Sequence, residues 1–138
     1  MQALNYGVIG NGRTAALISD KGSIDWCCLP DFDSPSVFAR ILDTEKGGCC
    51  RFIVEDDYTV TQQYVEATNI LSTLYYRGED GFEVLDFMPR YKPGDHQYYV
   101  APEIYRLIRY VKGKPKVRID YKPAINYARD EVVHVDTG

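Results

Sequence analysis

The feature that most constrains this chain is a two-residue period. Short runs rich in β-branched and aromatic residues alternate apolar with polar positions and recur at a spacing of roughly ten residues, parted by turn chemistry. Ala15 to Ser19 and Ser23 to Leu29 read as the two arms of a hairpin around Asp20-Lys21-Gly22. Cys49 to Glu55, Tyr58 to Val65, Asn69 to Arg77 and Phe82 to Met88 follow as successive antiparallel strands, separated by Asp56-Asp57 and Gly78-Glu79-Asp80-Gly81. Tyr91 to Pro102 reads as an irregular loop. Ile104 to Val111 and Lys116 to Tyr121 alternate again on either side of Lys112-Gly113-Lys114-Pro115, and Ile125 to Val135 reads as a further strand or two. The period changes once: Ser34 is placed to cap a helix that starts at Pro35, turns Val37, Phe38, Ile41 and Leu42 to one face, and ends near Gly47-Gly48. The expectation is therefore one all-β domain, an antiparallel β-sandwich with a single short helix.

Gly10-Asn11-Gly12-Arg13-Thr14-Ala15 fits the glycine pattern of a dinucleotide-binding loop. That loop needs a helix opening inside it, whose N-terminal amides and dipole hold a pyrophosphate. The Asp20-Lys21-Gly22 turn arrives too soon for a crossover helix, so Gly10 and Gly12 read as turn residues and no dinucleotide is expected.

Charge narrows the function classes. A formal net charge of -4 over 138 residues disfavours a sequence-independent grip on nucleic acid, which depends on clustered Lys and Arg. The apolar runs are far short of a bilayer span and no basic region precedes an apolar stretch at the start, so neither membrane anchor nor signal peptide is expected and the location reads as cytoplasmic. The four cysteines form two adjacent pairs, Cys27-Cys28 and Cys49-Cys50. Adjacent residues on a strand point to opposite faces, so each pair should send one sulfur into the core and one outward. Free buried thiols are the favoured reading, with a cross-strand disulfide and a zinc site as alternatives. His96 and His134 are isolated from each other and from any ligand set. No metal and no cofactor are expected. Glu55-Asp56-Asp57 reads as a solvated turn, and the tyrosines from Tyr98-Tyr99 through Tyr105 and Tyr110 read either as sheet packing or as a sugar-stacking surface.

Three stretches carry a resemblance. Ile9-Gly10-Asn11-Gly12-Arg13-Thr14-Ala15-Ala16-Leu17, Gly22-Ser23-Ile24-Asp25-Trp26 and Phe32-Asp33-Ser34-Pro35-Ser36-Val37-Phe38 closely resemble the opening of the bacterial and archaeal glycoside hydrolase family 15 enzymes, the glucoamylase and trehalase-like group. Tyr64 to Leu71 and Asp86-Phe87-Met88-Pro89 are similar more loosely, and Arg106-Leu107-Ile108-Arg109 with Val117-Arg118-Ile119 to Asn126-Tyr127 falls where the family has its next hairpin, so the likeness runs along nearly the whole chain. It implies the N-terminal β-sandwich domain, super-sandwich-like and here incomplete, of a protein whose (α/α)6 barrel lies downstream. The resemblance places the paired glutamates of an inverting hydrolase in that barrel, so no catalytic residue is assigned within 1–138. Its partners would be the missing catalytic barrel of the same polypeptide and, in the parent enzyme, an α-glucan or trehalose-type substrate. Family members often carry a basic residue where this chain has Asp31, so a contact that uses that positive charge is not expected here.

The distinctive loop holds the site candidates. Aspartate, serine, proline and aromatic residues together can rigidify a loop through side-chain to backbone bonds and a fixed proline torsion. Trp26, Phe32, Asp33, Ser34 and Pro35 are thus expected either to border the substrate cleft or interdomain contact, or to serve structure, with the aromatics filling core and Asp25, Asp33 and Ser34 capping local turns. Two other roles for the chain compete with that of an accessory domain: a free-standing carbohydrate-binding module and an oligomerisation module working through strand edges.

Overall fold

A computed structural model describes residues 5–138. The chain is all-β and sandwich-like. One sheet carries the order β1 (Tyr6–Gly10), β2 (Ala15–Ser19), β3 (Ile24–Cys28), β5 (Cys49–Ile53) and β12 (Arg118–Lys122), with β4 (Ser36–Phe38) pairing β3 off this path. The second carries β11 (Tyr105–Lys112), β8 (Asp80–Phe87), β7 (Leu71–Arg77) and β6 (Thr59–Tyr64). A small hairpin of β9 (Tyr91–Gly94) and β10 (Gln97–Tyr99) stands apart. All pairings are antiparallel.

The alternation read from the sequence sets the inner faces. Ile9, Ala16, Ile18, Ile24, Cys27 and Phe38 of the first sheet pack on Leu71 of the second and on Met88. Beside them Phe52 of the first sheet meets Tyr75, Phe82 and Val84 of the second, with Tyr75 and Phe82 stacked at 4.6 Å and Phe52 edge-on to Tyr75 at 6.3 Å. These rings add directional contact to the burial of apolar area that drives the sheets together. The β2–β3 hairpin turns through Gly22, whose φ of +79° suits glycine, and the Tyr75 hydroxyl donates to the Lys21 carbonyl there at 2.9 Å.

A buried ion pair lies on the inner face of the second sheet. Asp86 on β8 is fully buried, and Arg106, its register partner on β11, donates to both carboxylate oxygens at 2.7 and 3.0 Å. The same guanidinium reaches the first sheet, donating to the carbonyls of Gly22 at 2.5 Å and Cys50 at 2.7 Å, and lies 4.5 Å from the Phe52 ring centre. Burial pushes the Asp86 carboxyl up from its ordinary range and the Arg106 bonds oppose that shift.

The two flanks of the molecule differ. On one, Tyr64 of edge strand β6 uses its hydroxyl to accept from Val8 N–H at 2.8 Å and donate to Val8 C=O at 2.9 Å, closing the edge of β1. On the other, β11 and β12 are the edges of different sheets, joined by the crossover 113–117. Ile108 and Tyr110 lie opposite Val84 and Phe82, and Ile119 lies opposite Phe52, so all three point toward the interior. They are nevertheless 43%, 68% and 51% exposed.

Four expectations need correction. Residues 35–42 form no helix: Ser36–Phe38 is a strand, with Phe38 opposite Cys27, because sheet pairing and burial of Phe38 outweigh a local capping signal. Leu42, expected on the apolar face, is 68% exposed. Residues 91–102 contain the β9–β10 hairpin, held by stacking of Tyr91 on Tyr99 at 4.7 Å. The segments flanking Lys112 to Pro115 do not pair with each other, since β11 joins β8 and β12 joins β5. Finally, Ile125 to Val135 is not strand: it holds the short helical turn Ile125–Ala128, in which Asn126, Tyr127 and Ala128 take left-handed φ values of 52°, 58° and 61°. Such a conformation costs a non-glycine residue about 1–2 kcal/mol.

Removing one member of the Arg106–Asp86 pair strands a buried charge. Arg106→Ala is expected to cost about 3–5 kcal/mol of unfolding free energy in a denaturant titration, and Asp86→Leu with Arg106→Met less than Arg106→Ala alone. A second prediction concerns pH. The Asp80 carboxylate accepts from Lys114 N–H at 2.8 Å and from Arg77, which hold its pKa below the ordinary 3.8. A depressed carboxyl pKa contributes stability that is present above 3.8 and lost as pH falls toward the lower folded value. Acid titration of Asp80→Asn should therefore show a shallower loss of stability below that value than the parent chain.

Candidate functional site

The candidate loop sits at one end of the first sheet, where the β1–β2 turn and the β3–β4 connection meet. Asn11, almost fully buried, organises that end: its Oδ1 accepts from Arg13 and Thr14 N–H at 2.9 and 3.0 Å, and its Nδ2 donates to Ala101 C=O at 3.1 Å. Gly12 takes a φ of +86°, leaving the turn open for Arg90, whose Nη1 donates to Asn11 C=O at 3.3 Å. The glycine pattern thus closes a β-hairpin, and residues 15–19 after it are strand. Thr14 Oγ1 donates to Cys28 C=O at 2.5 Å, fastening the turn to the end of β3.

From that anchor the loop is built outward. Arg13 grips the Asp31 carboxylate with two bonds of 2.8 and 3.0 Å, and its C=O accepts from Phe32 N–H at 3.1 Å. Asp31 also receives Ser34 N–H on its carbonyl at 3.1 Å, while its own N–H donates to Ser34 Oγ at 3.0 Å. Ser34 therefore locks the turn backward onto Asp31; it does not cap a helix. The acidic residue at position 31 is answered within the chain by Arg13. Both partners are substantially exposed, so this pair orients the loop more than it stabilises the fold.

The result is a turn that lifts Phe32, 65% exposed, and the exposed Asp33 and Pro35 toward solvent, with Ser34 half-buried beneath them. Phe32 does not fill core. Trp26 is placed differently. It lies opposite Leu17 on the outward face of the first sheet, half-buried, and its ring meets Tyr127 at 6.1 Å and 47°. The structure thus groups residues 32–35 on one turn and gives Trp26 a partner, Tyr127, that the strand reading of 125–135 hid. Arg13, Asn11 and Arg90 were also missed as site residues; the density of matching residues from Ile9 to Leu17 was the available signal.

A second polar cluster lies at the far end of β3. Asp25, 6% exposed, accepts from the Tyr6 hydroxyl at 2.9 Å and from the Ser23 hydroxyl, with Arg40 at 3.8 Å. Burial and this carboxylate push the Tyr6 hydroxyl up to about 12. The cluster borders a cavity of about 480 Å³ shared with Arg51, Phe52 and Tyr58. Asp25 is therefore held by side-chain hydroxyls and does not cap a turn.

The thiols are free, and their placement differs from the one-in, one-out expectation. Cys27, Cys28 and Cys49 are all buried and Cys50 is half-buried. The register shifts between Cys27 and Cys28, so strict alternation fails there. Burial raises the Cys27 thiol to about 12 and also raises that of Cys28. Among the described residues, no group of three His, Cys, Asp or Glu side chains could hold a metal ion, and His96 and His134 are both exposed. The Glu55–Asp57 turn is exposed and bridged by Arg77. Tyr99 and Tyr105 direct their hydroxyls to Glu103. No helix among the described residues is long and apolar enough to cross a membrane.

Fold and site define an all-β domain of two antiparallel sheets that presents a rigid loop at one end. The chain belongs to the trehalase-like N-terminal domain family, which matches residues 4–137. It is 39% identical over 131 residues to a trehalase of Thermoplasma volcanium, covering 93% of this chain and 20% of that protein. It is 40% identical over 117 residues to a trehalase of Thermoplasma acidophilum, covering 83% and 20%. A trehalase 1 of Sulfolobus acidocaldarius is 46% identical over 83 residues, covering 60% and 14%. The chain thus spans about a fifth of the length of the first two relatives. No solved structure matches it.

The role given to Arg13 can be checked directly. Arg13→Ala should leave the midpoint of global unfolding unchanged, while the amides of Phe32 and Ser34 exchange faster with deuterium. Unchanged exchange would remove Arg13 as the anchor of the loop.

Proposed function

We propose that this chain is the accessory N-terminal β-domain of an inverting α-glucoside hydrolase of trehalase or glucoamylase type, cytoplasmic, with the bond-cleaving carboxylates in a separate helical (α/α)6 barrel. The observation that carries this reading is the open flank. Ile108, Tyr110 and Ile119 point inward from two edge strands and are still widely exposed, a state that an autonomous sandwich avoids by covering its edges. Further polypeptide seated there would complete the interior. Membership in a family described as trehalase-like and N-terminal, and coverage of about a fifth of the Thermoplasma trehalases, agree with this.

Within that reading the domain supports the barrel and lends the loop Phe32-Asp33-Ser34-Pro35 to its cleft or to the contact between domains. The geometry suits the task, because the bonds among Arg13, Asp31 and Ser34 fix the loop before any partner arrives, which lowers the ordering cost of contact. Trehalose is the substrate class favoured by the relatives' names. No carboxylate of this chain is given a catalytic role, since none lies in a stretch that matches the catalytic motifs of the family it resembles, and inversion needs a matched acid and base on opposite sides of the sugar.

Two measurements test the proposal on the purified 138-residue chain. It should release no glucose from trehalose or maltose, and hydrolysis above background would overturn the placement of the catalytic pair. It should also bind a hydrophobic dye, and the double variant Ile108→Lys with Ile119→Lys should reduce that signal without loss of the folded state. Absence of dye binding by the parent chain would remove the open flank as evidence.

A further inference from the structure

The short turn Ile125–Ala128 is costly backbone, and its position suggests what that cost achieves. Three consecutive non-glycine residues, Asn126, Tyr127 and Ala128, are left-handed there. The surrounding structure holds them: Ala124 N–H donates to Val37 C=O at 2.9 Å, Tyr127 N–H donates to Ser36 Oγ at 3.0 Å, and Ser36 is fully buried. Backbone strain persists only where its neighbours over-determine it. What is held is the Tyr127 ring, 44% exposed, beside the half-buried Trp26 ring.

Trp26 is itself fixed from below. It stands on the outward face of the first sheet opposite Leu17, which in turn lies opposite Val8. The strand sets one ring and the strained turn sets the other. Their centres are 6.1 Å apart and their planes meet at 47°. Asn126 and Asp130, whose amide and carboxylate lie 3.5 Å apart, belong to the same turn and bring hydrogen-bonding groups to its edge.

From this arrangement we infer that Trp26 and Tyr127 form a two-ring platform on which a gluco-disaccharide lays the apolar faces of its pyranose rings. Two tilted aromatic faces one ring apart match two sugar rings joined through a single oxygen, which are themselves mutually tilted. With the Tyr127 hydroxyl turned to the Cys28 thiol, what this residue offers is its ring face, which suits the apolar face of a pyranose. A purely apolar contact with protein would be met by any large side chain in any orientation. Holding three residues left-handed to fix the angle of one ring serves a contact that depends on orientation. The choice of a gluco-disaccharide as ligand rests on the trehalase-like reading, whereas the paired rings do not.

Trp26 is the one tryptophan of the chain, so its fluorescence reports on the platform alone. The 138-residue chain is titrated with trehalose and separately with maltose, and with the acyclic polyol sorbitol as control. A saturable change in Trp26 emission is expected with at least one disaccharide and not with sorbitol. Tyr127→Ala should weaken the apparent affinity by about tenfold or more, equivalent to about 1.4 kcal/mol, and Tyr127→Phe should preserve it. Should Tyr127→Ala fail to fold, Tyr127→Leu keeps the bulk, lacks the aromatic face, and must show the same loss. Three results would overturn the inference: no saturable change with either disaccharide, a change that survives loss of the Tyr127 ring, or emission that shifts with protein concentration alone and so marks a protein contact. None of these bears on whether the chain hydrolyses a glucoside, so the accessory-domain reading stands or falls separately.

Discussion

The guanidinium of Arg106 is the constraint around which the two sheets are arranged. It sits on an edge strand of one sheet, neutralises Asp86 on the neighbouring strand, and reaches across to carbonyls at Gly22 and Cys50 of the other. Taking two charges out of water is expensive, and the arrangement offsets the expense only when every lone pair and N–H is directed. A sandwich held by apolar contact alone could slide by a residue with modest loss. Here a slide would separate two carbonyls and the Phe52 face from the guanidinium that Asp86 holds within its own sheet, so the relative placement of the sheets is specified as well as stabilised.

Much of the fold was legible because alternation is a local property. Apart from β4, the strands from Ala15 to Phe87 fall within a few residues of where β-branched and aromatic periodicity puts them, and the Gly22 turn is where Asp20-Lys21-Gly22 implied. What was not legible depended on partners distant in sequence. Ser34-Pro35 carries a sound helix-start signal, yet Phe38 gains more by pairing with β3. Tyr105–Lys112 and Arg118–Lys122 look like a hairpin because each alternates beside a Gly-Pro turn, and only the tertiary arrangement sends them to separate sheets. Left-handed backbone at Asn126, Tyr127 and Ala128 has no sequence signature at all, since none is glycine.

The candidate loop shows the same division. Its rigidity could be read from Asp31 to Ser34, whose side chains are short and hydrogen-bonding, but the Arg13 anchor lies across a hairpin and Tyr127 lies ninety-odd residues from the loop, as the 91-residue separation of its bond to Ser36 illustrates. The resemblance marked stretches of sequence without indicating how they meet. Once they meet, Asn11 emerges as the residue that joins the β1–β2 turn to the connection between β10 and β11 through Ala101, making the loop-bearing end one connected unit.

The hydroxyl of Tyr64 has a consequence for how such a domain can be extended. By occupying both the N–H and the C=O of Val8 it leaves that margin of the first sheet no vacant bonding pair for an arriving strand at its centre. An arriving strand therefore meets free backbone along β11 and β12 and a closed pair at Val8, so the two margins of the domain are unequal in what they can accept.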